Sequence, residues 1–223
     1  METPRKRVLI HGLFVNGHIM RPLARHFRAQ GHNILIIDYP TRSQTLADSA
    51  AHWAPQIRAF ADEQALEFVG HSLGGLLLRH IALHFSGQIR RAATLGTPHR
   101  HSAAGAYFRR FHQGRLIGQS WPQALDGQAP NWDANIPLLS IAGCKSNGLG
   151  KWFGLFRDEA SDGTVAVAET RLPEAQAYCD LPYGHTSMLF AREVMHVLDE
   201  WFATGDSRHP AFRRNIAQPR QRA

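Results

Sequence analysis

The segment Gly70–Gly75 reads Gly-His-Ser-Leu-Gly-Gly and follows the apolar run Leu66–Val69, ahead of a stretch of helical period. A serine at a sharp strand-to-helix turn is held in a strained backbone conformation, and Gly70 and Gly74 remove the side chains that would collide across that turn. The hydroxyl of Ser72 then stands beside the free N–H groups of a helix N-terminus. The segment predicts a nucleophile elbow, although a turn of small residues that lets a helix pack on a strand has the same pattern.

A serine nucleophile needs a base, and the base needs an acid that orients it. Among the 14 histidines, His185 lies just past the last predicted strand, and Asp162 lies in an Asp-Gly pair before that strand. In an open α/β sheet with such an elbow, the acid and the base lie on loops after later strands, in the chain order serine, acid, histidine, and all three residues fall at the carboxyl side of the sheet. We predict His185 as the base and Asp162 as the acid. A turn role for Asp162 and a helix-terminal role for His185 are the alternatives.

Three other aspartates compete with Asp162 for the role of the acid. Asp38 is the main rival, but it precedes Ser72, and we interpret it as a structural cap or turn residue. Asp158 lacks a following glycine, and Asp180 is too close to His185 to lie on a separate strand end.

A second backbone donor for an oxyanion is expected beyond the first predicted strand, which ends in His11-Gly12-Leu13. We predict the main-chain N–H groups of Leu13 and Leu73 as the two donors, so their side chains need not be polar. The elbow and turn residues around them are Gly70, His71, Gly74, His11 and Gly12.

Short apolar runs alternate with longer segments of helical period, and this alternation predicts a mostly parallel sheet with helices on both faces. The six predicted strands span residues 7–11, 33–37, 66–69, 92–95, 138–142 and 175–179. Apolar stripes predict helices that end near Gly31 and Gly205, and Pro55 indicates that the helix after Ser43 is kinked or divided.

Residues 98–136 form a long, cap-like helical insertion after the fourth strand, and a second irregular stretch, 149–156, mixes aromatic residues with glycines. Their aromatic residues either flank an acyl-binding groove, or act as a lid, or simply pack on the core. The candidate substrate-binding residues are Phe14, Tyr107, Phe108, Phe111, Trp152 and Phe153.

The composition of 223 residues, 43% hydrophobic and 19% charged, fits one domain over residues 1–207. The net charge of +7 is uneven, because residues 208–223 hold five arginines and no acid. We expect this basic tail to be flexible and to give at most weak contact with an anionic membrane. The stretch 68–125 holds seven arginines and no acid, which suggests a cleft that favours anionic groups.

Two cysteines are too few for a disulfide scaffold, and no ligand cluster or dinucleotide motif indicates a metal or another cofactor. No apolar run reaches the length of a signal or membrane-spanning segment, so the expectation is a cytoplasmic protein. We expect no specific nucleic-acid partner, and the sequence leaves the oligomeric state open.

With these motifs, the sequence resembles the α/β-hydrolase superfamily, and within it the compact bacterial lipase and esterase branch. The resemblance covers nearly the whole of residues 7–204. It is carried by segments 11–13, 20–24, 38–42, 70–75, 95–99, 162–165 and 184–185. It implies Ser72, Asp162 and His185 as a catalytic triad and a reduced sheet. Relatives often have glycine where His101 stands, which makes the loop after His99 harder to predict.

The sequence therefore predicts a serine hydrolase that cleaves small-molecule or lipid carboxylic esters through an acyl-enzyme. A thioesterase, an amidase or an acyltransferase would use the same residues. From a different class, a non-catalytic module of this fold could bind anionic lipid or nucleic acid through its basic segments.

Overall fold

The computed structural model of the chain describes residues 4–110, 117–146, 156 and 159–215. The strands of this part are β1 Lys6–Ile10, β2 Asn33–Ile37, β3 Leu66–His71, β4 Ile89–Leu95, β5 Leu138–Gly143, β6 Ala177–Leu181 and β7 Phe212–Arg214. The α-helices are α1 Arg21–Ala29, α2 Leu46–Ala61, α3 Leu73–Ala82, α4 Ala103–Phe108 and α5 Arg192–Thr204. Short 3-10 turns lie at Gly17–Met20, Gly118–Ser120, Val167–Thr170 and Ser187–Phe190, and an irregular helical turn lies at Trp121–Leu125.

The described strands form one sheet in the order β2-β1-β3-β4-β5-β6-β7, in which β1 to β6 are parallel and β7 is antiparallel to β6. The chain moves from β1 to β2 in one direction and then returns to place β3 on the other side of β1. Open α/β sheets bind their ligands at such a reversal, beyond the carboxyl ends of the strands. Ile10 is paired with Gly70 there, so the loop after β1 and the serine after β3 leave the sheet side by side.

Helices cover both faces of the sheet because successive strand residues point to opposite sides. Val8 and Ile10 pack with α2 and α3 in one buried cluster, whereas Leu9 packs with α1 and α5 in the other. The two-sided burial explains why the parallel strands appear in the sequence as nearly continuous apolar runs.

A buried ion pair fixes the register of the two strands that carry the site. Arg7 on β1 and Glu67 on β3 are register partners; the Arg7 Nε donates to Glu67 Oε2 at 2.6 Å, and both side chains are fully buried. The Arg7 guanidinium also lies between the rings of Phe27 and Phe202. A slip of one residue would move this charge away from its partner and leave it buried alone, which is strongly unfavourable.

All six predicted strands are found, with boundaries that differ by at most a few residues. Pro55 lies inside α2, which continues from Leu46 to Ala61 as one helix. The apolar positions Leu46, Ala50 and Ile57 bury this helix against the core, and that packing outweighs the lost backbone hydrogen bond.

The flexible tail predicted from Arg208 is wrong for residues 208–215, which include the edge strand β7. Phe212 is buried close to the ring of Trp201, and the His209 Nε2 contacts Glu193 Oε1 at 2.7 Å. Arg208 pairs with Glu200 and Arg214 with Asp206. Two of the three tail arginines within the described residues therefore have acidic partners, and residues 216–223 lie outside the described part of the chain.

Arg79 on α3 joins the helix of the elbow to the insertion. Its guanidinium donates to the carbonyls of Pro130, His99 and Ala129 at 2.6, 2.7 and 3.0 Å. The His99 side chain is buried beside it, with Nε2 2.9 Å from Thr94 Oγ1. Burial, together with the charge of Arg79, lowers the pKa of His99 to about 3, so this histidine is neutral in the folded protein.

His99 should make stability depend on pH. Its pKa is about 3 when folded, against 6.5 for the ordinary side chain, so between these values the unfolded chain binds a proton that the folded chain does not. The free energy of unfolding should therefore fall as pH drops below 6.5, by about 1.4 kcal/mol per pH unit from this residue. In His99→Gln, whose amide can still reach Thr94, urea unfolding at a series of pH values should show a slope smaller by one proton. Equal slopes in the two proteins would contradict the assignment.

Candidate active site

Ser72 occupies the turn between β3 and α3 in a conformation that a non-glycine residue rarely adopts, with φ 54° and ψ −124°. Such backbone strain costs about 1–3 kcal/mol and persists only where the surroundings impose it. Here the Ser72 N–H donates to Leu95 O at 2.8 Å, and the Ser72 carbonyl accepts from Thr97 Oγ1 at 2.9 Å and from the Gly75 N–H at 3.0 Å. The serine is thus held at the end of the sheet by β4 and its following loop.

The glycines around Ser72 are required by close backbone packing. A Cβ on Gly70 would lie 2.6 Å from Gly75 Cα, and one on Gly74 would overlap the carbonyl oxygen of Ile10. A Cβ on Gly12, in the loop after β1, would lie 2.8 Å from Ser72 Cβ. These contacts bring α3 and the β1 loop directly against the serine.

Asp162 and His185 form a short hydrogen bond behind the serine. The His185 Nδ1 donates to Asp162 Oδ2 at 2.6 Å, and the carboxylate is almost completely buried. The other oxygen, Oδ1, accepts from the N–H groups of Thr164 and Val165 at 2.9 and 2.8 Å. Asp162 therefore makes the turn that the sequence suggested and orients His185 as well. With the proton on Nδ1, the Nε2 of His185 is left as the basic nitrogen.

His71 supports the backbone of His185. Its Nε2 donates to the His185 carbonyl at 2.9 Å, and the two rings lie 4.8 Å apart. Burial is the largest cause that lowers the pKa of His71 to about 3, with the neighbouring His185 as a smaller one. A neutral ring with its proton on Nε2 keeps this bond at neutral pH.

The two residues predicted as oxyanion donors lie in different elements that meet at the site. Leu73 is the first residue of α3, where helix N–H groups have no partner within the helix, and Leu13 lies in the loop after β1. In the described part of the chain, neither N–H has a protein acceptor. Both residues line the cavity into which Ser72 and His185 open.

This cavity has a volume of about 210 Å³ and walls that are mainly apolar. Its described lining is Leu13, Phe14, Ser72, Leu73, Pro98, Ser102, Ala104, Gly105, Phe108, Ile117, Leu125, Thr164, Val165 and His185. The insertion supplies much of the wall. No charged side chain belongs to this described lining, so the expected basic cleft is not found there. One of the arginines from stretch 68–125, Arg79, is buried on backbone carbonyls instead.

Ser72 and His185 share the cavity, but the Ser72 hydroxyl has no hydrogen-bond partner among the described residues. Catalytic hydrogen bonds of this kind often form fully only with substrate bound.

The structure separates the other sequence candidates. Phe14 and Phe108 line the cavity, whereas Tyr107 is not part of its described lining. Asp38 lies 3.1 Å from the His11 ring, and Asp180 pairs with Arg171. Phe111, Trp152, Phe153 and Asp158 lie outside the described residues.

Sequence reasoning missed Gly96, which follows β4. It has φ +56°, and a Cβ there would lie 2.8 Å from Asp162 Oδ2 and 3.0 Å from His185 Nδ1. Gly96 leaves room for the bond between Asp162 and His185. Two sequence signals could have found it: it directly follows an apolar strand, and it belongs to segment 95–99, which carries the family resemblance.

The described residues contain no group of three His, Cys, Asp or Glu side chains suited to hold a metal ion. Within the same ranges, no helix has the length and apolar character needed to cross a membrane.

Comparison with known proteins gives one family match and several distant likenesses. Residues 8–223 match the sequence family described as "Alpha/beta hydrolase family". The pimeloyl-[acyl-carrier protein] methyl ester esterase of Vibrio cholerae is 31% identical over 104 residues, and that of Vibrio vulnificus is 33% identical over 94 residues. These matches cover 45% and 40% of this chain but only 40% and 36% of the relatives.

Among solved structures, a mature lipase of Bacillus licheniformis has a TM-score of 0.69 at 20% identity, over 91% of this chain and 94% of that one. A thermophilic esterase of Thermogutta terrifontis has a TM-score of 0.60 at 15% identity, over 90% of each chain. At such identities the likeness establishes a shared fold.

Asp162→Asn should lower kcat for the ester hydrolysis that the sequence predicts by about 10⁴-fold, as loss of the acid does in a Ser-His-Asp triad. The amide oxygen would keep the bonds from Thr164 and Val165, so its NH₂ would face His185 and force the ring proton onto Nε2. Steady-state kinetics would measure the loss. The matched control is Asp180→Asn, which changes a half-buried carboxylate paired with Arg171 and should keep kcat within about twofold. Similar losses in both variants would contradict the assignment.

Proposed function

The chain belongs to the alpha/beta hydrolase family, and on that premise we propose that it hydrolyses carboxylic esters with Ser72, His185 and Asp162 as a catalytic triad. The observation that carries the proposal is the cavity shared by Ser72 and His185, with Asp162 bonded at 2.6 Å to the far side of the His185 ring. Acyl transfer requires a nucleophile, a base and an acid that orients the base, and this geometry supports Ser72, His185 and Asp162 for those roles.

In the proposed reaction, the His185 Nε2 takes the proton of the Ser72 hydroxyl while Oγ attacks the ester carbonyl carbon. The carbonyl oxygen becomes an oxyanion, which accepts hydrogen bonds from the N–H groups of Leu13 and Leu73. The intermediate then collapses, the bond to the alcohol oxygen breaks, and protonated His185 gives its proton to the leaving alcohol. Water attacks the acyl-enzyme by the same route and releases the acid.

The size and lining of the cavity favour an ester with a small, uncharged acyl group. Its 210 Å³ is below the lower end, about 300 Å³, of pockets that hold drug-sized ligands. Leu125, Ile117 and Phe108 give it apolar walls, and its described lining has no charged side chain to pair with an anion. These features favour short aliphatic acyl chains over the long chains of lipids.

The activities of the relatives support an ester as the bond that is cleaved. The two Vibrio relatives are methyl ester esterases, and the structural neighbours include a lipase and an esterase. No observation on the described residues favours a thioester or an amide. The paired arginines Arg208 and Arg214 weaken the alternative of a module that binds polyanions through its tail.

A series of p-nitrophenyl esters from acetate to palmitate tests this function directly. We expect kcat/KM to be highest at acetate or butyrate and to fall at palmitate, because the described cavity is small. Ser72→Ala should lower kcat by about 10³-fold or more. Equal turnover by the wild type and Ser72→Ala would overturn the proposal, and faster cleavage of matched thioesters or amides would reassign the bond.

Phe108 should limit the length of the acyl chain. Phe108→Ala would enlarge the cavity, so kcat/KM for the octanoate ester relative to the butyrate ester should rise about tenfold. This is the effect expected when a pocket accommodates one or two more methylene groups. Tyr107→Ala removes the neighbouring aromatic ring outside the cavity lining and should leave the butyrate-to-octanoate ratio as in the wild type. The same shift in both variants, or in neither, would contradict this role of Phe108.

A further inference from the structure

The buried ring of His11, at the end of β1, joins two segments that meet at the site. Its Nδ1 lies 2.9 Å from the carbonyl oxygen of Gly12, the next residue along the chain. Its Nε2 lies 3.3 Å from the Tyr39 backbone N and 3.1 Å from Asp38 Oδ1. The ring stacks on that of Tyr39, whose hydroxyl donates to the His11 carbonyl at 3.1 Å. The described contacts therefore hold both ring nitrogens and one ring face.

The hydrogen bond from His11 to the Gly12 carbonyl also fixes the direction of the Leu13 N–H. The peptide unit between Gly12 and Leu13 is planar and trans, so the Leu13 N–H points opposite to the Gly12 C=O. A side chain that holds the carbonyl on one side of the loop thereby turns the N–H to the other side. Because Leu13 lines the cavity beside Ser72, the direction of this N–H decides whether it can reach an oxyanion.

We propose that His11 is a positioning residue, which holds the Gly12 carbonyl through its Nδ1–H and so aims the Leu13 N–H at the oxyanion. The inference rests on the proposed ester hydrolysis and assigns to His11 a part in the rate of the chemical step. His11 itself does not touch the reacting atoms.

The protonation of the ring fits this role. A carbonyl oxygen only accepts hydrogen bonds, so Nδ1 must carry a proton. Burial is the largest cause that lowers the pKa of His11, while the Gly12 bond and Asp38 act in the opposite direction. The neutral ring with its proton on Nδ1 accepts from the Tyr39 N–H through Nε2, whereas a ring protonated on both nitrogens donates from Nε2 to Asp38 Oδ1. In either form the Nδ1–H holds the Gly12 carbonyl.

The shape of the loop shows why it must be held. Phe14, the residue after Leu13, has φ +63°, a left-handed conformation that is unfavourable for a bulky side chain. Gly12 passes so close to Ser72 that a Cβ would not fit. Asp38 adds a second anchor, because its Oδ1 accepts from the Gly17 N–H at 3.0 Å. The loop is therefore fixed at both ends by the same short stretch after β2.

Replacing His11 by asparagine or by glutamine distinguishes a positioning role of the side chain from a packing role. In His11→Asn the amide nitrogen can take the place of Nδ1 and donate to the Gly12 carbonyl. In His11→Gln the longer side chain places its amide where Nε2 lies in the wild type. The bond to the Gly12 carbonyl is then lost, while the contacts with Asp38 and the Tyr39 N–H can be kept. Both variants lose the ring that stacks on Tyr39.

We expect His11→Gln to lower kcat about 100-fold, as removal of one oxyanion donor does, with KM within about threefold. The kcat of His11→Asn should be at least about tenfold higher than that of His11→Gln. The affinity for a trifluoromethyl ketone, which forms a hemiketal oxyanion on serine, should follow kcat, whereas the affinity for the matched methyl ketone should change little. Thermal unfolding of both variants checks that they are folded.

Equal losses of kcat in the two variants, or a loss confined to KM, would overturn the positioning role. A readout on the wild type does not depend on the folding of any variant: ¹⁵N NMR of labelled histidine should show His11 protonated on Nδ1 at pH 7. Protonation on Nε2 alone would also overturn the inference. Absence of any turnover in the wild type would show instead that the proposed function itself is wrong, and the inference would fall with it.

Discussion

The close approach of α3 to the end of β1 is the constraint on which the rest of the site depends. Gly74 lies so near the carbonyl of Ile10 that no side chain fits between them, and Gly70 lies as near to Gly75. This packing places the helix N-terminus, the serine and the β1 loop within one small volume. It also imposes the strained backbone of Ser72, which the bonds to Leu95 and Thr97 hold in place. Any larger residue at these glycines would separate the elements that the proposed chemistry needs together.

Histidines around the site differ in role because their surroundings differ. His71 and His99 are fully buried and neutral, with pKa values lowered to about 3, and each makes a fixed hydrogen bond. His185 alone among these lines the cavity and has a carboxylate behind it. The remaining wall is apolar, so the proposed reaction proceeds in a space where a developing oxyanion meets backbone N–H groups rather than charged side chains. Arg208, one of the arginines behind the positive net charge of the chain, pairs with Glu200 away from this cavity.

Much of the fold followed from local patterns in the sequence. The strands were predictable because strands buried on both faces give continuous apolar runs, and the proposed triad followed from chain order around the Gly-His-Ser-Leu-Gly-Gly segment. Strand β7 was not predictable, because three residues with one buried aromatic, Phe212, carry no period, and their partner β6 is more than 30 residues away. Gly96 was missed because its conformation matters only through contact with Asp162 and His185. The cavity wall at Ile117 and Leu125 likewise depends on tertiary packing that no periodicity encodes.

Labelling with a fluorophosphonate ester, followed by intact-mass and peptide mass spectrometry, tests the central claim most directly. Such a reagent phosphonylates a serine only where a base and an oxyanion site activate it. The account predicts one phosphonyl group per chain, located on Ser72, and none on the heat-unfolded protein. An unmodified Ser72 under conditions where the protein is folded, or a single adduct on another residue, would contradict it.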